Sequence, residues 1–188
     1  MTMPSTAITR DDILAAAERI RGDVRPTPLW RLPGAALGLD VAELWLQPKV
    51  IWGTMQLPYQ SLDDIRRRLE NPPERLQRLV AVTEEGRVIG MLGLEVGRGR
   101  AAHTAHLGMM VHPDFHNRGV GSALMAAALN LADNWLNLTR VALEVYTDNP
   151  AAIHLYEKSG FEIEGTLRRF AYRDGQYVDS YTMARLRE

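Results

Sequence analysis

The apolar positions follow two periods along the chain, and the changes between them divide it into elements. Over residues 9–21, Ile13, Leu14, Ala17 and Ile20 recur at helical spacing. Thr9 stands as cap, Asp11 and Asp12 favour the positive end, and Gly22 stops what is predicted to be an amphipathic helix. Residues 29–32 read as a weakly patterned strand, and residues 35–47 as a helix with Leu37, Val41, Leu44 and Trp45 apolar. Residues 49–59 read as a loop carrying Trp52, Met55, Gln56 and Tyr59. Ser61 then caps a helix that ends before Pro72-Pro73. From residue 76 the pattern shortens to strands: 76–83, 87–96 after the hairpin signal Glu84-Glu85-Gly86, and 102–111 after a turn at Arg98-Gly99-Arg100. Leu124, Met125, Ala128, Leu129 and Ala132 restore the helical period. Strand 141–146, helix 151–159 ended by Gly160, and strands 161–172 and 177–186 about Asp174-Gly175 complete the chain. The order βαα-βββ-α-β-α-ββ predicts an α/β fold, a mixed sheet with helices on both faces.

Composition narrows this little. The 188 residues fit one domain with a sizeable core, and 46% hydrophobic content excludes a disordered chain. A net charge of -1 argues against a broad nucleic-acid surface. With 0 cysteines there is no disulfide framework, cysteine nucleophile or zinc thiolate. No apolar run reaches the ~18 residues of a membrane span, and the N-terminus has no apolar signal core, so a cytoplasmic protein is expected.

Chemistry concentrates in VHPDFHNRGVGSAL, residues 111–124, which reads as strand, turn and helix mouth. In Asn117-Arg118-Gly119-Val120-Gly121-Ser122 two glycines let backbone N–H groups converge where the first helical turn already has orphan donors and partial positive charge. That is a phosphate or pyrophosphate site, or else only a glycine-rich cap. A Walker loop is excluded, since it needs Gly-Lys-Ser/Thr at its end. A dinucleotide fingerprint is excluded by the lack of a third glycine and of an acidic residue at the right place; Asp133 lies inside the helix.

Residues 141–161, VALEVYTDNPAAIHLYEKSGF, add a second block of strand, turn and helix. The two blocks together resemble the GNAT superfamily of N-acetyltransferases, and within it the YhhY-type bacterial amino-acid N-acetyltransferases. The likeness includes Gln47-Pro48, Gly53-Thr54, Asp133-Asn134-Trp135-Leu136, 161–166, Gly175-Gln176-Tyr177-Val178-Asp179 and Met183-Ala184-Arg185. It implies a GNAT domain over 28–188 behind an extension, 1–27, that carries the first helix. It implies a mostly antiparallel mixed sheet splayed between its fourth and fifth strands. The activity it implies is transfer of acetyl from acetyl-CoA to a primary amine of a small molecule, with a free L-amino acid favoured and no metal. Acetylation of a protein N-terminus is the alternative enzyme reading. A non-catalytic acyl-CoA-binding regulatory module is the alternative from another class.

The same resemblance assigns residues. The backbone of Asn117, Arg118, Gly119, Val120, Gly121 and Ser122 would hold the pyrophosphate of coenzyme A. Main-chain groups of Met109, Met110 and Val111 would pair with its pantetheine arm like another strand. His116 departs from the Gln or Arg common in this motif. Asn149 resembles the asparagine that contacts the cofactor, or is a turn residue only. Tyr156 is the candidate general acid, a phenol near pKa ~10 facing a thiol near ~8.5, or else a core tyrosine. Glu144, twelve residues earlier, is the candidate base, as in protein N-terminal acetyltransferases, or else a surface or arginine-paired carboxylate. His106 is a second base candidate. His103, His106, His112 and His116 raise a metal reading that strand alternation and the lack of H-E-x-x-H disfavour.

One other likeness stops short. Residues 8–31 are similar to the start of fold-type-II pyridoxal-phosphate dehydratases, but no phosphate loop or Schiff-base lysine follows, and Lys49 has no matching context. The extension is therefore expected to pack on the domain or on a second subunit, and a homodimer is a family expectation.

Overall fold

The computed structural model describes residues 25–26, 48–58 and 61–188. The sequence-predicted helices at 9–21 and 35–47, the strand at 29–32 and Tyr59 lie outside the described residues. Among the described residues, seven strands form one sheet in the order β1-β2-β3-β4-β5-β7-β6. They are β1 (Arg25–Pro26), β2 (Leu76–Val82), β3 (Val88–Val96), β4 (Thr104–Val111), β5 (Arg140–Tyr146), β6 (Glu162–Arg173) and β7 (Gln176–Leu186). Every neighbouring pair is antiparallel except β4 and β5. The helices are α1 (Pro48–Gly53), α2 (Leu62–Glu70), α3 (Val120–Asn134) and α4 (Pro150–Lys158). The stretch read as a loop at 49–59 thus opens as a helical turn and a half, because the local pattern there is too short to announce a helix.

The sheet has two differently covered faces. Leu92 and Leu94 of β3, Leu107 of β4 and Val141, Leu143 and Val145 of β5 join Leu124, Met125, Ala128 and Ala132 of α3 in the main core. Val88 and Met91 point the other way, where they meet Val50 of α1 and Ile65 and Leu69 of α2. α2 starts as its sequence requires, with the Ser61 hydroxyl accepting from the Asp64 amide at 3.1 Å. The Asp174-Gly175 turn has positive φ at both residues, 48° and 78°, the geometry a two-residue hairpin needs. Two pieces of the family likeness far apart in sequence meet here: Arg185 of β7 grips the Asp133 carboxylate of α3 through two bonds of 2.8 Å. Among the described residues no helix is long and apolar enough to cross a membrane.

Leu92 is 0% exposed in the main core, whereas Leu57 is 73% exposed. Leu92→Ala is therefore expected to cost about 2–5 kcal/mol in urea unfolding. Leu57→Ala should change it by less than ~0.5 kcal/mol. Equal effects would overturn the assignment of the core.

Candidate active site

β4 and β5 are paired only through Thr104↔Arg140, Ala105↔Val141 and His106↔Ala142. Beyond that point β4 is paired only with β3, up to Gly90↔Val111, and β5 only with β7, up to Tyr146↔Ser180. The sheet therefore opens between its fourth and fifth strands. Residues Met109, Met110 and Val111 lie along the open edge of β4, where an extended ligand with amide groups finds ladder partners. The Val111 carbonyl accepts from the His116 ring, Nε2 to O 3.0 Å, which places the ring proton on Nε2. His116 thus folds the loop back onto the end of β4.

The chain leaves β4 through His112, which is buried and begins a short 3₁₀ turn at Pro113–Phe115. Its ring lies 3.2 Å from the Asp114 amide and 3.2 Å from the Arg87 guanidinium, two donors of which a neutral imidazole accepts one at a time. Burial, then the Arg87 charge, pushes its pKa down, so the ring stays neutral. Asn117 and Gly119 follow with φ of 58° and 86°. Two left-handed residues flanking Arg118 curl the backbone into a concave run of N–H groups at the mouth of α3. The two glycines serve different needs. Gly119 is the left-handed cap, where a side chain would be strained. Gly121 sits inside the helix, and a Cβ there would meet Leu155 Cδ2 of α4 at 3.1 Å. Val120 is buried, Ser122 is half-buried, and the Arg118 guanidinium lies over the Phe115 ring at 5.1 Å.

α4 is capped by Asn149, whose Oδ1 accepts from the Ala152 amide at 3.2 Å, so the turn role of Asn149 is realised. From there α4 carries Tyr156 into the main core beside Phe161, ring centroids 6.0 Å apart. Burial pushes the phenol up to about 12. Glu144 alternates with the buried Leu143 and Val145 and projects from the opposite face. There its Oε2 lies 2.5 Å from His106 Nε2, so the two alternative bases are one hydrogen-bonded pair. The pair and Tyr156 stand on opposite faces of the sheet. His103 lies before β4 begins and joins no such cluster. Among the described residues no three His, Asp or Glu side chains converge as a metal site.

One residue the sequence did not single out ties the mouth together. Arg173, at the end of β6, donates to the Trp52 carbonyl at 2.9 Å and to the Asp148 carboxylate. Its guanidinium stacks over the Trp52 ring at 4.2 Å and the Tyr146 ring at 5.0 Å. The Tyr146 hydroxyl in turn donates to the Thr54 carbonyl at 3.1 Å. Trp52 is 50% exposed, so it does not cover the core; it borders the mouth. Arg173 has no local pattern that marks it, since its partners come from α1 and the β5–α4 turn.

A split parallel pair with an N–H-lined helix mouth at its open end is the layout of acyl-CoA-dependent transferases. The sequence matches the acetyltransferase (GNAT) family over residues 40–161, and the chain belongs to that family. It is an N-acetyltransferase, with acetyl-CoA as the donor the family uses. The chain is 42% identical over 148 residues to the L-amino acid N-acetyltransferase AaaT of Escherichia coli, covering 78% of this chain and 90% of that one. It is 29% identical over 126 residues to a spermidine N(1)-acetyltransferase of Vibrio cholerae, covering 65% and 71%. Among solved structures, a spermidine N-acetyltransferase from Vibrio cholerae in complex with CoA and spermine superposes with a TM-score of 0.71 over 87% of this chain and 94% of that one, at 24% identity, a likeness of fold. A GNAT-family acetyltransferase from Streptococcus pneumoniae gives 0.70 over 87% and 98%, at 25% identity.

Arg173→Ala is expected to free α1 from the β5–α4 turn and raise the KM for the amine at least fivefold, while the Kd for acetyl-CoA stays within twofold. Steady-state kinetics with calorimetry separates these. Loss of acetyl-CoA binding instead would show that Arg173 serves the donor site.

Proposed function

We propose that this N-acetyltransferase transfers the acetyl group of acetyl-CoA to the α-amino group of a free L-amino acid, by direct attack in a ternary complex. The observation that carries the reading is the open edge between β4 and β5, reaching from His106↔Ala142 to the left-handed loop at Gly119. It offers ladder partners at Met109, Met110 and Val111 to the pantetheine arm. Converging N–H groups from Asn117 to Ser122 suit the pyrophosphate. Asn149, already used as a cap, would meet the donor only through groups its cap leaves free. The choice of acceptor is supported by the extensive similarity to an amino-acid N-acetyltransferase. The similarity to spermidine acetyltransferases makes polyamines the competing acceptor class.

Tyr156 acts on the leaving sulfur. With the phenol near 12, full transfer to a thiolate of pKa ~8.5 runs uphill by roughly 3.5 in pKa, or ~5 kcal/mol. Its contribution is therefore a hydrogen bond that steadies charge building on sulfur, whose proton comes finally from the attacking nitrogen. The raised pKa keeps this donor protonated: the useful form is present at low and neutral pH and is lost only as pH rises through about 12.

Thiol release from acetyl-CoA with L-amino acids, spermidine and short peptides, for wild type and Tyr156→Phe, tests the reading. Amine-dependent release with an L-amino acid, reduced at least tenfold in the variant without change in acetyl-CoA Kd, is expected. No tyrosine-derived falling limb should appear below about pH 11. Release with spermidine alone would move the acceptor class, and a fully active variant would remove Tyr156 from the mechanism. Binding without any turnover would favour the regulatory module.

The same reading keeps a cytoplasmic location and a homodimer. Ile163, Phe170 and Tyr172 are exposed on the edge strand β6, where backbone groups are free to pair with another chain. Light scattering should return a dimer mass; a monomer mass at micromolar concentration would sink this part.

A further inference from the structure

We propose that His106 is the group that takes the proton from the incoming ammonium, and that Glu144 is a positioning residue that acts through it. This rests on the acetyltransferase reading above and deepens it. The contact between the two has a direction. A carboxylate accepts and cannot donate, so the 2.5 Å contact from His106 Nε2 to Glu144 Oε2 places the proton on Nε2. That leaves the Nδ1 lone pair of His106 as the free basic site. The side chain of His106 is 53% exposed and that of Glu144 30%, so the ring is the outer member and the carboxylate the inner one.

Its position suits the task. His106 is the last β4 residue paired with β5, at the closed end of the split where an acetyl group carried by the arm along β4 would come to lie. It shares a face with Met110 and Glu144, opposite the core that holds Tyr156. An open groove of about 320 Å³ lined by Arg75, Glu95, Thr104, His106 and Arg140 gives it a way to solvent. Among the described residues, the charged groups around the ring have partners. Glu95 stands across from it on β3 and is held by Arg75 at 3.3 Å. Arg140 of β5 is held by Glu164 of β6 at 2.6 Å. Glu144 is the carboxylate bonded to His106 itself.

Basicity also favours the ring. An imidazole is closer in basicity to an amine than a carboxylate is, so it is the better-matched acceptor for an ammonium proton. The step balances. One ammonium proton moves to Nδ1, giving an imidazolium held by Glu144. The neutral amine forms a C–N bond to the thioester carbonyl carbon, and the C–S bond breaks with its electron pair on sulfur. A second proton from the attacking nitrogen ends on that sulfur, and His106 returns its own to solvent. The net change is ammonium plus thioester to amide, thiol and one proton.

The test compares kcat/KM against pH for wild type, His106→Gln and Glu144→Gln with the best amine, at matched Tm and acetyl-CoA Kd. His106→Gln is expected to lose at least a hundredfold near pH 7 and to keep only the rise set by the amine's own titration. Glu144→Gln is expected to lose about tenfold, because the ring loses the carboxylate that fixes its orientation and tautomer. A hundredfold loss in Glu144→Gln at every pH, with His106→Gln within threefold of wild type, overturns the proposal and makes Glu144 the base. Two near-normal variants overturn it as well. Nitrogen-15 NMR of the wild-type imidazoles adds a readout independent of turnover: protonated Nε2 and bare Nδ1 at His106 are expected, and the opposite tautomer overturns the assignment. A wild type that releases no thiol with any amine would instead strike the acetyltransferase reading, and the tautomer would still be measurable.

Discussion

The parallel pairing of β4 with β5 lasts for three residue pairs and then stops, and the candidate site depends on where it stops. A parallel ladder continued to Val111 would consume the main-chain groups that an acyl-CoA arm needs. Each strand keeps a long pairing on its other side. β3 holds β4 through seven pairs, and β7 holds β5 through seven pairs. The strands can therefore diverge without unravelling the sheet, and the cost of opening it falls only on edge groups that a ligand can satisfy.

The sheet also keeps two groups of side chains apart. Strand alternation sends Leu143 and Val145 into the core and Glu144 out of it, so one strand serves both the core that holds Tyr156 and the Glu144–His106 pair. Tyr156 sits in apolar surroundings that raise its pKa. His106 sits half in water on the other face.

The mouth is assembled from pieces that share no sequence neighbourhood. Arg173 links α1 to the turn that caps α4, and so to the helix that carries Tyr156. Asp179, part of the family likeness, accepts from the Arg169 amide at 2.7 Å and steadies a left-handed residue within the β6 bulge. Asp133 and Arg185, also within that likeness, join β7 to α3. Several motif residues thus hold the frame.

The sequence by itself determined the elements from Ser61 onward to within a few residues, because their apolar periods are long and Ser61, Asn149, Gly160 and Asp174-Gly175 mark their ends with local chemistry. It also determined the family, since two blocks of strand, loop and helix carry residue types that must sit close together in space. α1 was missed, its six residues being too few for a period to emerge. The different duties of Gly119 and Gly121 were not legible either, because one answers to φ and the other to Leu155 on a later helix. Only the tertiary structure decided that Glu144 and His106 are one pair and that Arg173 bridges α1 and the β5–α4 turn. Each of those facts is a contact across 25 to 121 residues of chain, and short-range pattern carries no information about which distant strand or turn will lie alongside.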